Sequence, residues 1–227
     1  MRKYRSSSHL FLLILGTLLI AVGGWVSLVE LRTSSVRAQI SPERIVALAA
    51  GTDDYGFSIG SRQRFLFECR DAMVSLFARV QTSQVRNNLN QTCLSASDEI
   101  VAEQPTFSVA WLTGALAASQ ISDWSGFNRR LVNSQRTGSA EQWIAEIRLN
   151  LAEQYYEKLE DAAKAGTEAD MVLLTDTDSG LLQLARIWVR VPTSRVRVTE
   201  VVDRAPEVSR EKFLRRVRLV YEGRDGQ

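Results

Sequence analysis

Residues 139–160 read SAEQWIAEIRLNLAEQYYEKLE. Trp143, Ile147, Leu151, Tyr155 and Leu159 recur at every fourth position, which on a helix lines them along one face about 24 Å long. Ser139 is placed to cap the first turn, so the stretch predicts a long amphipathic helix. The segments around it repeat the pattern. Within 62–80, Phe65, Cys69, Met73 and Leu76 form one stripe, and Leu89, Cys93, Ala96 and Ile100 form the next. Pro105 then breaks the chain ahead of an alanine-rich segment from Phe107 to Ala118, and Phe127 and Leu131 mark another helix after it. Leu181, Leu184, Ala185 and Trp188 make an apolar face that stops at Pro192. The last face carries Phe213, Val217, Val220 and Tyr221 opposite Arg215, Arg216 and Arg218. Upstream, Ser41-Pro42-Glu43 is a helix start, with serine as cap and proline in the first turn. The expected fold class is all-α.

One stretch has two readings. Residues 187–191 and 195–199 alternate with period two and are rich in valine, which locally describes a β-hairpin around Pro192. The alternative is helical, with Val198, Val201 and Val202 at i, i+3 and i+4. The helix is preferred, because an isolated two-stranded hairpin in a helical chain is marginally stable.

At the N-terminus, residues 10–29 (LFLLILGTLLIAVGGWVSLV) carry no charge. As a helix they extend about 30 Å, the thickness of a bilayer's hydrocarbon core. Arg2, Lys3 and Arg5 precede the run and Trp25 stands near its distal end, so the expectation is one transmembrane helix with a cytoplasmic N-terminus. The organisation follows: tail 1–9, span 10–29, linker 30–40, a helical domain 41–221 and a tail 222–227. A cleaved signal peptide is the competing reading, with Val36-Arg37-Ala38 as the cleavage segment, but its apolar region exceeds the usual length and charges crowd the site. Thr17 and Ala21, like Gly23 and Ser27, have the small-xxx-small spacing that lets membrane helices approach.

Helices in series invite a search for repeats. Trp111 and Trp143 each open an alanine-containing helix, and Pro105 precedes the first as a repeat-closing proline would. Residues 105–160 thus resemble the tetratricopeptide repeat. The departures are Gly114-Ala115 and Ala118 in the first helix, Phe127 and Leu131 in the second, and Ser139 where the repeat has proline. The resemblance implies stacked helix pairs with a concave binding surface and no catalysis.

Of 227 residues, one is histidine, His9, which leaves no Ser-His-Asp triad and no histidine-based metal site in the domain. No phosphate loop, dinucleotide fingerprint or zinc spacing occurs, so neither cofactor nor metal is expected. Asp176-Thr177-Asp178-Ser179-Gly180 departs from a calcium loop and is expected to be a turn in which Asp178 or Ser179 caps a helix. Asp53-Asp54 and Glu160-Asp161 are expected to be solvated surface. Cys69 and Cys93 lie on neighbouring stripes, where they form either a disulfide or two buried thiols. From residue 186 onward there are 11 basic and 6 acidic residues, so Arg195, Arg197, Arg215, Arg216 and Arg218 are candidates for a surface that meets an anionic partner, polysaccharide included. The expected function is a single-pass adaptor of a bacterial inner membrane, with a periplasmic domain that binds protein partners of a cell-envelope assembly in polysaccharide synthesis or export, not an enzyme and not a nucleic-acid binder. The alternatives are an accessory subunit of a larger membrane complex and an envelope hydrolase using Glu146, Glu153 or Asp123.

Overall fold

The computed structural model describes residues 3–35, 40–51 and 55–224, and among them every regular element is a helix. Helix α1 (Lys3–Ser35) carries the apolar run and continues past it, so the first part of the expected linker is helical. The cleavage segment Val36-Arg37-Ala38, Asp53-Asp54 and the last three residues lie outside the described residues. Helix α2 (Pro42–Ala50) starts as read: the Ser41 hydroxyl accepts the Arg44 N–H at 3.2 Å.

Helix α3 (Ile59–Val74) ends earlier than its stripe suggested. Ser75 adopts an extended conformation, accepts the Ala78 N–H and starts a new short helix, α4 (Leu76–Arg79). That break turns Leu76 out of the stripe to 73% exposure, whereas Phe65, Cys69 and Met73 stay buried. Helix α5 (Ser83–Glu103) buries Leu89, Cys93, Ala96 and Ile100 as expected. Three residues join α6 (Ser108–Gln120) to α7 (Trp124–Thr137), short enough to make the two helices antiparallel neighbours.

Helix α8 (Gln142–Gln154) departs most from its reading. Its cap is Glu141 rather than Ser139, and the chain leaves the helix at Tyr155 for a 3₁₀ turn, so Tyr155 and Leu159 do not extend the ridge. Its buried face is broader than the ridge: Ile144, Ala145, Arg148, Leu149 and Ala152 are inside beside Leu151 of the ridge, and Trp143 is 41% exposed. Helices α9 (Asp161–Leu174), α10 (Asp178–Arg190), α11 (Arg195–Asp203) and α12 (Glu207–Tyr221) complete the chain. The cap of α10 is Thr177, which accepts the Gly180 N–H, instead of Asp178 or Ser179. Residues 187–202 are helical around a 3₁₀ turn at Pro192, because Val198, Val201 and Val202 are buried against neighbouring helices and burial overrides their β propensity. Tyr221 ends α12 in solvent rather than on its apolar face.

The helices enclose two cores. Residues of α2 to α7 and one side of α8, with Leu159 and with Ala163 of α9, form the first; the other side of α8 with the later part of α9 and α10 to α12 forms the second. Within the first, α6 is apolar on all sides and almost wholly buried, with Ala110, Gly114, Ala115, Ala117 and Ala118 letting α5 and α7 approach closely. Helix α8 is the shared wall. Ile144, Leu151 and Ala152 face the first core, Ala145 and Leu149 the second.

Between those two sets lies Arg148, 2% exposed. Its guanidinium grips Asp170 of α9 through two bonds, Nε at 2.7 Å and Nη2 at 2.6 Å. It also donates to the carbonyl oxygens of Ser134 at 3.1 Å and Gly138 at 3.2 Å, at the C-terminal end of α7. The Ser134 hydroxyl in turn donates to the Ser108 carbonyl at the start of α6, at 3.0 Å. Burial raises the Asp170 carboxyl above its usual range while the Arg148 bonds pull it down. Arg148→Met should lower unfolding free energy by about 3–5 kcal/mol, since it strands a buried carboxylate and two carbonyls. Adding Asp170→Leu should restore part of that loss, as read from urea unfolding of each variant. Equal losses in the single and double variants would contradict the assignment.

Candidate functional site

Three helices that follow one another in the packing, α3, α6 and α8, line an apolar groove. Phe67, Arg70 and Val74 on α3, Val109, Leu112 and Leu116 on α6, and Trp143, Ile147 and Leu151 on α8 recur at steps of three or four, so each set lies on one side of its helix. Val109, Leu112, Leu116 and Leu151 are part of the first core and form the floor, while Phe67, Arg70 and Ile147 are half-buried and Val74 and Trp143 exposed at the rim. Side by side, the stripes line a groove of about 180 Å³. Phe67 meets Trp143 edge to face at 5.7 Å between ring centroids, and the Arg70 guanidinium lies 4.9 Å over the Phe67 ring. Asn150 and Gln154 give one margin polar groups; the Asn150 amide oxygen accepts from Gln183 of α10 at 2.8 Å.

The groove is smaller than the roughly 300–1,000 Å³ of pockets that engulf a whole small ligand. Its size and apolar floor suit one or two side chains of a longer polymer. Two further hollows differ in chemistry. A cleft of about 460 Å³ between α10, α11 and α12 sets Trp188, Phe213 and Leu214 beside Asp203, Glu207 and Glu211. A hollow of about 260 Å³ beside α9 and α11 is lined by charges such as Lys164, Glu168, Arg197 and Arg204, of which Arg197 pairs with Glu153 and Arg204 with Glu168.

Cys69 and Cys93 are joined in a disulfide, with a Cα–Cα distance of 5.7 Å. The bond ties α3 to α5 two residues from Phe67, and so pins the first wall of the groove. The five arginines have different surroundings. Arg197 bonds Glu153 and lies 3.5 Å over the Tyr156 ring; Arg195 stacks on Trp188 and donates to its carbonyl oxygen at 3.0 Å. The Lys212 ammonium, which bonds Asp178, holds that carboxyl below its usual range with smaller help from Arg216 and Arg215, and Arg218 is exposed. In α1, Thr17 bonds back to the carbonyls of Leu13 and Ile14, Ala21 and Ser27 are exposed, and among the described residues no other element packs against Gly23.

The three carboxylates considered for hydrolysis have other partners. Glu153 is buried against Arg197 and Ser194, Asp123 caps α7 by accepting the Gly126 N–H at 2.9 Å, and Glu146 accepts from Gln142 at 3.1 Å. Among the described residues no cluster of three or more His, Cys, Asp or Glu side chains could hold a metal ion. Trp111, the residue that anchored the repeat resemblance, donates its indole N–H to the Pro105 carbonyl at 2.8 Å. No protein-family model matches the chain, and comparison with curated proteins and with solved structures gave no match.

Sequence reasoning missed the groove because periodicity shows which side of a helix is apolar but not where three helices leave a gap between them. The signal was present on α3, where Phe67, Arg70 and Val74 form a second stripe beside the buried one.

Replacing both cysteines with alanine should cost about 3 kcal/mol of stability, from the loop closed by cysteines 24 positions apart, as measured by thermal unfolding. An unchanged melting temperature on reduction would contradict the bond. Near the same end of the domain, Tyr55 donates its hydroxyl to Glu99 at 2.6 Å, and burial, helped by that carboxylate, pushes its phenol up to about 12. Its contribution to stability is therefore complete below the unfolded value of about 10 and is lost as pH rises through the folded one. An ultraviolet titration of wild type minus Tyr55→Phe should show a step near pH 12. A step near the ordinary tyrosine value of about 10 would refute the pairing.

Proposed function

We propose that this chain is a membrane-anchored helical adaptor whose groove between α3, α6 and α8 receives an apolar segment of a protein partner. The observation that carries this reading is an apolar groove whose floor, Val109, Leu112, Leu116 and Leu151, belongs to the first core and whose rim carries the exposed Val74 and Trp143. With helix axes about 8–10 Å apart, the floor extends about 20 Å, the length of roughly six extended residues. Phe67 and Trp143 supply rigid aromatic anchors, and Arg70 supplies a cation at the margin.

The packing order also favours a scaffold. Helices α3 and α5, α6 and α7, α8 and α9, and α10 and α11 touch within each pair, α5 packs also on α2 and α6, and α6 and α8 each touch the first helix of a neighbouring pair. We read this as the stacking of a tetratricopeptide-like array, with α12 covering α10 at the end. Residues Leu10–Glu30 form one helix long and apolar enough to cross a membrane, with a mean hydropathy of 2.4 and none of its window buried inside the protein. In our reading this span holds the domain on the far side of a bacterial inner membrane, where the Cys69–Cys93 disulfide persists.

The test is crosslinking in the native membrane, followed by purification of wild type and of the exposed groove variants Trp143→Glu and Val74→Glu, each checked for an unchanged melting temperature. A partner recovered near stoichiometry with wild type should fall at least about tenfold with both variants, because a buried charge in an apolar interface costs more than the 1.4 kcal/mol that equals a factor of ten. The same recovery from all three proteins, or no partner from any, would overturn the groove reading.

A further inference from the structure

The distal end of α1 is fastened to the domain. The Glu30 carboxylate accepts the backbone N–H groups of Phe57 and Ser58, both at 2.7 Å, and the Ser58 hydroxyl at 2.8 Å. One turn earlier on α1, the Trp25 ring meets Phe57 at 6.0 Å between centroids. Gly56 makes room for this joint: its φ is +71°, and a Cβ there would come within 2.7 Å of Ser61 Oγ and 3.1 Å of Glu30 Oε1. The joint fixes the start of α3 at the level of Trp25.

At that level the domain is apolar and uncovered. Phe57 is 53% exposed and Ile59 60%, at the tip that leads into α3, and Arg64 is exposed one turn further on. Tryptophan at the end of a span sits among lipid headgroups, where an aromatic ring, an aliphatic side chain and a nearby cation are all favourably placed. We propose that the tip formed by Phe57, Ser58 and Ile59 is seated in the headgroup layer of the bilayer that α1 crosses, so that the domain lies against the membrane in one orientation. The proposal rests on reading α1 as a span. It adds a second lipid contact, and through α3 it fixes how the groove faces the membrane.

The test uses the full chain in liposomes. With the native cysteines bonded, Ile59→Cys, Phe57→Cys and a remote control, Val208→Cys, are each labelled with an environment-sensitive fluorophore. Lipids carrying a nitroxide at the headgroup are the quencher, and alkaline extraction reports separately whether α1 is embedded. The expected result is loss of most emission at 59 and 57, none at 208, and weaker quenching at 59 when Glu30→Gln is added. Unquenched labels at 59 and 57 on protein that resists extraction would overturn the seated tip and leave the span standing. Release of the protein by alkali would overturn the span and the proposal with it.

Discussion

A single buried guanidinium sets the geometry of this domain. Arg148 has acceptors on α9 and at the end of α7, and the serine it touches there reaches on to α6. Removing two charges from water costs several kcal/mol per ion, so the pair with Asp170 adds little net stability. Its effect is on position. Only one placement of α8 satisfies all of these acceptors, and any other leaves a carboxylate or a carbonyl buried without a partner. Because α8 contributes side chains to both cores, placing α8 also places α3 through α7 relative to α9 through α12.

Close approach is the second constraint. A Cβ on Gly180 would come within 2.2 Å of the Leu174 carbonyl oxygen, so no other residue fits where α10 leaves the end of α9. In α6, Gly114 lies under the Arg130 side chain, which reaches across to Asp98 of α5 at 2.8 Å. Such contacts bring backbones together on the inner side of the stack. Larger side chains, Phe67 and Trp143 among them, are left at the rim of the groove, whose floor is the outer layer of the first core. Groove and core are thus continuous, and the disulfide holds α3, which forms one wall.

Much of the helical plan was legible from local chemistry. The Ser41-Pro42 start and the buried face of α5 needed only capping rules and a period of 3.6. The choice of helix at 187–202 came from asking what an isolated hairpin could bury. What failed was the assumption that the longest apolar ridge marks the buried side. Trp143 and Ile147 line the groove, while α8 turns Arg148 inward, and hydrophobic periodicity cannot find a buried arginine whose partner is 22 residues away on another helix. Leu76 was misplaced for a smaller reason, a serine that ends one helix and caps the next. The arginine cluster near the C-terminus was visible as composition, but the engagement of Arg197 with Glu153 depends on a contact 44 residues apart.

The proposed adaptor role would require a groove that keeps its shape, and that depends on the two cores acting as a unit. Hydrogen exchange of the full chain in lipid nanodiscs measures this most directly. If α8 and Arg148 join the cores, the slowest amides of α6, α8 and α10 should exchange with one common free energy of opening. Opening of α9 through α12 at a clearly lower free energy than α5 through α7 would mean that the cores unfold separately, and would contradict the account.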